Sequence, residues 1–173
     1  MNPEITIRAE ASGDVGKIAD VTRRAFESLA ISNHTEHFIV DALRAAHSLA
    51  VSLVAEVDGQ VVGHIACSPV VMSDGTPDWY GLGPVSVLPA YQRRGIGSAL
   101  IREGLARLES MGARGCCLVG HPEYYRRFGF DNTPELSHEG VPPHVFFALP
   151  FGGVIPRGTV RFHDAFRANG PQE

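Results

Sequence analysis

The sequence predicts an α+β protein organised around a mixed β-sheet, and three observations carry that expectation. Asp58-Gly59 stands between two β-rich runs in "SLVAEVDGQVVGHIACSPV", the strongest short-range signal for an antiparallel hairpin, because glycine supplies the positive backbone angle such a turn needs. Apolar residues recur at helical spacing in three separate stretches. A β-rich run "WYGLGPVSVLP", a helical stripe and the apolar run "GCCLVGH" then follow one another. A strand, helix, strand order implies a right-handed crossover between parallel or nearly parallel strands.

The elements read in order as follows. "ITIRAE" is a short strand with Ile5 and Ile7 on one face. Asp14 caps a helix in which Val15, Ile18, Thr22, Ala25, Phe26 and Leu29 form the inward stripe. Asn33 and Glu36 have the spacing of a capping box and open a second helix through Phe38, Ile39, Ala42, Leu43 and Ala46. The hairpin, the loop "SDGTPD" and "WYGLGPVSVLP" make three consecutive antiparallel strands. Ile101, Leu105, Leu108 and Met111 stripe the next helix, which stops at Gly112. After "GCCLVGH", "PEYYRRFGF" is one short helix ended by Gly129, and the Pro- and Gly-rich tail holds one further strand, "HVFFALPF".

The 173 residues, 44% hydrophobic and 20% charged, fit one compact domain over 1–173 with a real core. No stretch approaches the roughly 18 uninterrupted apolar residues of a membrane helix, and "MNPEITIRAE" lacks a basic flank followed by an apolar signal core. A soluble, cytoplasmic protein without a membrane partner is therefore expected. The net charge of -4 argues against a nucleic-acid partner. Cys67, Cys116 and Cys117 form no CxxC pair and read as buried reduced thiols. His34 and His37 could share a helical face and bind a metal, but no third ligand stands at matching spacing, so no metal is expected.

The most informative stretch is "PAYQRRGIGSAL". A helix start presents unpaired N–H groups and the positive end of the dipole, so a glycine-rich entry lets a polyanion approach the backbone. Gly95 and Gly97 clear that approach, while Arg93 and Arg94 add forked positive charges suited to phosphate. A P-loop needs a Lys-Ser/Thr pair where Ser98 and Ala99 stand. A Rossmann fingerprint needs a small residue at Leu100 and an acid at the end of the next strand, and neither is present.

Gln92-Arg93-Arg94-Gly95-Ile96-Gly97 resembles the Q/R-x-x-G-x-G/A acetyl-coenzyme A signature of the GNAT superfamily of N-acetyltransferases, with "VSVLPAY" ahead as the usual strand and proline and an amphipathic helix behind. Taken alone, the six residues also fit a glycine-rich helix entry with solvated arginines. One strand later, Tyr125-Arg126-Arg127-Phe128-Gly129-Phe130 is similar to the family's short helix, with a tyrosine four residues before a Gly-aromatic end. "VVGHIACSPV", "GHPEYYRRFGF" and "HVFFALPF…GTVRFHDAF" together resemble the small bacterial YhbS-like branch, in matching order from about Ile5 to Phe166.

The resemblance implies a three-layer α/β/α fold with a splayed central mixed sheet, and an acetyl-coenzyme A-dependent N-acetyltransferase. By the same resemblance "GPVSV" splays from "GCCLVGH". The pantetheine arm then lies along Val85, Ser86 and Val87, its amides bonded to backbone groups of Val85 and Val87, and the diphosphate sits on Gln92, Arg93, Arg94, Gly95, Ile96, Gly97 and Ser98. Tyr125 would protonate the departing thiolate; a phenol of pKa about 10 can serve a thiolate whose conjugate acid is near about 8.5. Tyr124 and Tyr125 also fit packing aromatics. The sequence departs from the common pattern at Leu118, where an asparagine is usual, and at His121 and Pro122, where small residues are common.

Transfer would be direct, through a ternary complex, without a cysteine carrier. The acceptor amine arrives as ammonium, and the base stays open among Glu27, Glu36, His37, His64 and His121. His64 and His121 are expected to approach the cleft, although each also fits a satisfied structural histidine. The acceptor is an amine of a small molecule or peptide, bordered by "SLAISNHTEHF" and "HEGVPPH". A non-catalytic acyl-coenzyme A binding or sensing module is the alternative, and a plain interaction domain a third. The protein would act as a monomer or homodimer.

Overall fold

The computed structural model describes residues 4–29 and 32–170. Among them are four helices: α1 (Val15–Glu27), α2 (Glu36–Ala45), α3 (Ile96–Ser110) and α4 (Pro122–Tyr125). The strands are β1 (Ile5–Ala9), β2 (Val51–Val57), β3 (Gln60–Pro69), β4 (Val71–Met72), β5 (Trp79–Val87), β6 (Gly115–Val119), β7 (Leu136–His138), β8 (Phe146–Pro150) and β9 (Gly158–Arg161). Six strands form a sheet in the order β1-β2-β3-β5-β6-β8, and three form a second in the order β4-β9-β7. The described residues pack as two compact units, one drawn from 4–29, 32–67, 83–104 and 164–170, the other from 68–82 and 105–163.

In the first unit the hairpin forms as the sequence requires. Asp58 and Gly59 take φ of 51° and 77°, and β2 pairs antiparallel with β3 from Val57↔Gln60 to Val51↔Cys67. β1 adds antiparallel to β2. α1 buries Ile18, Val21, Thr22 and Ala25, while Leu29, assigned to its stripe, is 43% exposed. Asp14 stands before α1 but does not cap it. Its carboxylate accepts from the Ala11 amide at 2.7 Å and from the Arg8 guanidinium at 2.7 and 3.0 Å, and that pairing with Arg8 holds its pKa at about 2. The expected capping box before α2 is also absent: His34 turns left-handed at φ 59°, Thr35 becomes the N-cap, and Glu36 accepts from Ser32 Oγ. α2 packs Ile39, Ala42 and Leu43 against Ala165.

In the second unit β5 and β6 run parallel, Trp79–Gly81 against Gly115–Cys117, and β6 pairs antiparallel with β8. The crossover through α3 therefore delivers the mixed sheet. Met72, Trp79, Cys117, Leu136, Phe146, Ala148 and Val160 form the core. The apolar stripe of α3 ends at Leu108, since Met111 is 50% exposed where Gly112, at φ 86°, turns the chain. β4, β7 and β9 escaped sequence reading because two to four residues carry no measurable alternation.

Candidate active site

Strand β5 ends at Val87, with Val85 and Val87 half-buried and Ser86 buried. A single 3-10 turn over Pro89–Tyr91 leads to the loop, fastened by the Tyr91 amide to the Leu88 carbonyl at 2.8 Å. Gln92 does not reach outward: its Nε2 donates to the Val87 carbonyl at 3.0 Å and ties the loop to β5. Arg93 and Gly95 are both left-handed, at φ 63° and 83°, and Gln92 to Gly95 are exposed. Left-handed residues in such a loop can turn N–H groups to one side, a geometry suited to anions. α3 begins immediately, its first internal bond running from the Ala99 amide to the Gly95 carbonyl at 3.0 Å, so the helix-start amides and dipole add to the same place. The Arg94 guanidinium lies 5.4 Å over the Tyr91 ring.

A residue that sequence reading passed over sets this helix start against the sheet. Gly63, in the middle of β3, faces Ile96 and Leu100 of α3. A Cβ there would stand 3.1 Å from Leu100 Cδ1 and from the Ser86 carbonyl oxygen, and 3.2 Å from Ile96 Cγ2. The missing side chain thus lets the first turn of α3 approach β3 and β5 closely. Its only signal in the sequence is a glycine inside a strand pattern.

Tyr125 closes α4, in the second unit. Pro122 at the first turn and His121 before it start the helix, with His121 Nδ1 accepting the Glu123 amide at 3.3 Å. The Tyr125 ring meets Tyr124 and Phe130 edge-on, with centroids 5.0 and 6.2 Å away and both planes at 83°, and Phe147 at 6.4 Å. Burial, and then Tyr124, push its phenol up to about 12. The chain leaves through the Arg126–Phe128 turn and Gly129 at φ 99°. Arg127 stacks on Tyr124 at 4.5 Å and Arg126 on Phe147 at 5.6 Å.

The base candidates fare differently. His64 does not approach open space: it is 0% exposed, its Nε2 lies 2.8 Å from Ser52 Oγ, and Nδ1 has no protein partner. Burial holds its pKa down at about 4. Ser52 in turn donates to Glu10, whose carboxylate takes Arg44 Nε and Nη2 at 3.0 and 2.9 Å. Burial pushes Glu10 up, but the bonds from Arg44 and Ser52 outweigh it and leave its pKa below the ordinary value. Sequence reading missed this network because its members are spread over the residue after β1 and over α2, β2 and β3. His121 is an exposed helix cap, Glu36 is bonded to Ser32, the His37 ring lies tilted against Phe38 with centroids 4.0 Å apart, and Glu27 is exposed at the end of α1. Of "SLAISNHTEHF", Ala30 and Ile31 lie outside the described residues.

Residues 48–132 match the family model of the acetyltransferase (GNAT) domain. Over 126 residues the chain is 37% identical to the uncharacterized N-acetyltransferase YhbS of Escherichia coli K12, covering 72% of each protein. The chain belongs to the GNAT acetyltransferase family. A GNAT acetyltransferase from Brucella melitensis, solved in complex with acetyl-coenzyme A, superposes with a TM-score of 0.85 at 52% identity, over 95% of this chain and 99% of that one. Escherichia coli YhbS, solved with coenzyme A, gives 0.86 at 30% identity, over 99% and 96%. The GNAT fold, with its mixed sheet, is thus the fold of this chain. Leu118, where the common GNAT pattern has an asparagine, is 1% exposed and sits opposite Phe147 in the β6 and β8 ladder.

Proposed function

We propose that the protein transfers an acetyl group directly from acetyl-coenzyme A to an amine of a small molecule or peptide, as one cytoplasmic N-acetyltransferase domain over 1–173, monomeric or homodimeric. The observation that supports the reading is the loop from Gln92 to Ser98, where left-handed Arg93 and Gly95 in an exposed stretch lead directly into a fifteen-residue helix, a backbone arrangement suited to an anion. The complex of the Brucella melitensis relative with acetyl-coenzyme A supports the choice of anion, a diphosphate. In this reading Arg93, Arg94, Gly95, Ile96, Gly97 and Ser98 hold the diphosphate, Gln92 braces the loop, and backbone groups of Val85, Ser86 and Val87 receive the pantetheine arm.

The chemistry asks for three things. The amine must lose a proton, its lone pair must attack the thioester carbonyl, and the carbon–sulfur bond must then break with the pair leaving on sulfur. Tyr125 answers the last. A phenol held at about 12 stays protonated throughout the physiological range, so in this reading it has a proton to offer a departing thiolate. Desolvation penalises thiolate and phenolate alike, so donation strengthens as charge gathers on sulfur.

The experiment is turnover of acetyl-coenzyme A over an amine panel, for the native protein and for Tyr125→Phe. Amine-dependent release of coenzyme A thiol is expected, with kcat falling about 100-fold or more in the variant while acetyl-coenzyme A affinity holds. Tight coenzyme A binding without turnover on any amine would favour the binding module instead. Equal loss of kcat and affinity in Tyr125→Phe, or loss of neither, removes the acid role.

A further inference from the structure

The segment "GCCLVG" has a glycine at each end, Gly115 and Gly120, and each lies beneath an aromatic ring. A Cβ on Gly115 would stand 2.6 Å from Trp79 Cε2 and closer still to the far edge of that indole, so this glycine seats a core residue. A Cβ on Gly120 would stand 2.8 Å from Tyr125 Cδ2 and closer still to Cε2. Gly120 is not among the left-handed glycines, so its backbone angle does not demand the residue; the ring above it does. Its amide is fixed to the Val145 carbonyl at 2.9 Å, so the backbone cannot simply drop away.

Carbon atoms settle at about 3.5–4.0 Å, so one added methyl would drive the Tyr125 ring off by on the order of 1 Å. The ring has little room to take up that shift, with Tyr124 and Phe130 presented edge-on and Phe147 behind. The phenol oxygen, at the end of the lever, would move with it. We infer that Gly120 is a positioning residue for acetyl transfer: its missing side chain is the seat that sets the Tyr125 ring and so aims the hydroxyl. The inference rests on the reading of Tyr125 as the acid.

Gly120→Ala, Tyr125→Phe and the double variant test it together. The phenylalanine ring keeps the collision but lacks the hydroxyl. Gly120→Ala is expected to lower kcat about 10- to 100-fold, with the KM for acetyl-coenzyme A within about threefold of native. In the Tyr125→Phe background the same change should cost thermal stability as before but leave kcat where Tyr125→Phe put it, whereas in the Tyr125→Ala background, with the ring gone, the stability cost should disappear. A kcat loss of equal size in the native and Tyr125→Phe backgrounds, or a stability cost that persists in Tyr125→Ala, overturns the inference. If Tyr125→Phe alone keeps native turnover, the acid reading falls, and the Tyr125→Ala comparison still reports whether Gly120 seats the ring. Should Gly120→Ala not fold, the Tyr125→Ala background removes the ring the methyl meets; recovery of folding supports the seat, and no recovery overturns it.

Discussion

Lowering the pH below neutrality should weaken this protein through one buried imidazole. In the folded chain His64 titrates at about 4, driven down by burial and by Arg44 against the pull of Glu10; unfolded, it returns to about 6.5. Between those values the unfolded chain binds a proton that the folded chain refuses, so stability rises with pH across that window and falls as pH drops through it. From pH 7 to pH 5 the linkage gives a loss of about 2 kcal/mol, levelling off near about pH 4 when the folded state also protonates. The carboxylates do not blur the window. Asp14 and Glu10 have depressed folded values, so their contributions are present above the ordinary carboxylate range and are lost only below it. The assay is urea denaturation at both pH values for native protein and His64→Gln, where the other histidines cancel. The variant should lose about 2 kcal/mol less between pH 7 and pH 5. Equal pH dependence in the two proteins would refute the assignment of His64 as a buried neutral group. The same depression makes His64 a poor store for a proton at pH 7, which weighs against it as the base.

Two further outcomes follow from packing. Gly63→Ala places a methyl 3.1 Å from Leu100 Cδ1 and the Ser86 carbonyl, and should cost about 1–3 kcal/mol with a weaker affinity for coenzyme A, read by thermal melting and calorimetry; native values for both would show that α3 does not depend on that approach. Cys67, Cys116 and Cys117 are each 0% exposed, and burial pushes the Cys67 and Cys117 thiols up, so a thiol reagent should label the native protein far more slowly than the denatured one; rapid native labelling would contradict that core.

Much of the fold, and the turn of chain between β5 and α3, was legible because the causes are local. Asp58-Gly59 writes its own turn, Gly95 and Gly112 mark helix ends by the angles glycine permits, and the order of strand, helix and strand around α3 fixes a parallel pair. The spacing from Tyr125 to Gly129 likewise sits within one turn of chain. The caps at Asp14 and Asn33 were misread because a carboxylate takes the best donor in space: Asp14 found Arg8, and Glu36 found Ser32. β4, β7 and β9 are too short to carry a period and exist through their partners.

By itself, then, the sequence determined where the chain turns and which faces are apolar, since each depends on neighbouring residues. The tertiary structure alone decided that His64 is sealed in with Ser52, Glu10 and Arg44, that Gly63 admits α3, and that Gly120 lies under Tyr125. Those facts depend on atoms distant in the chain meeting at van der Waals distance, and neither the period nor the composition of a segment encodes such a meeting.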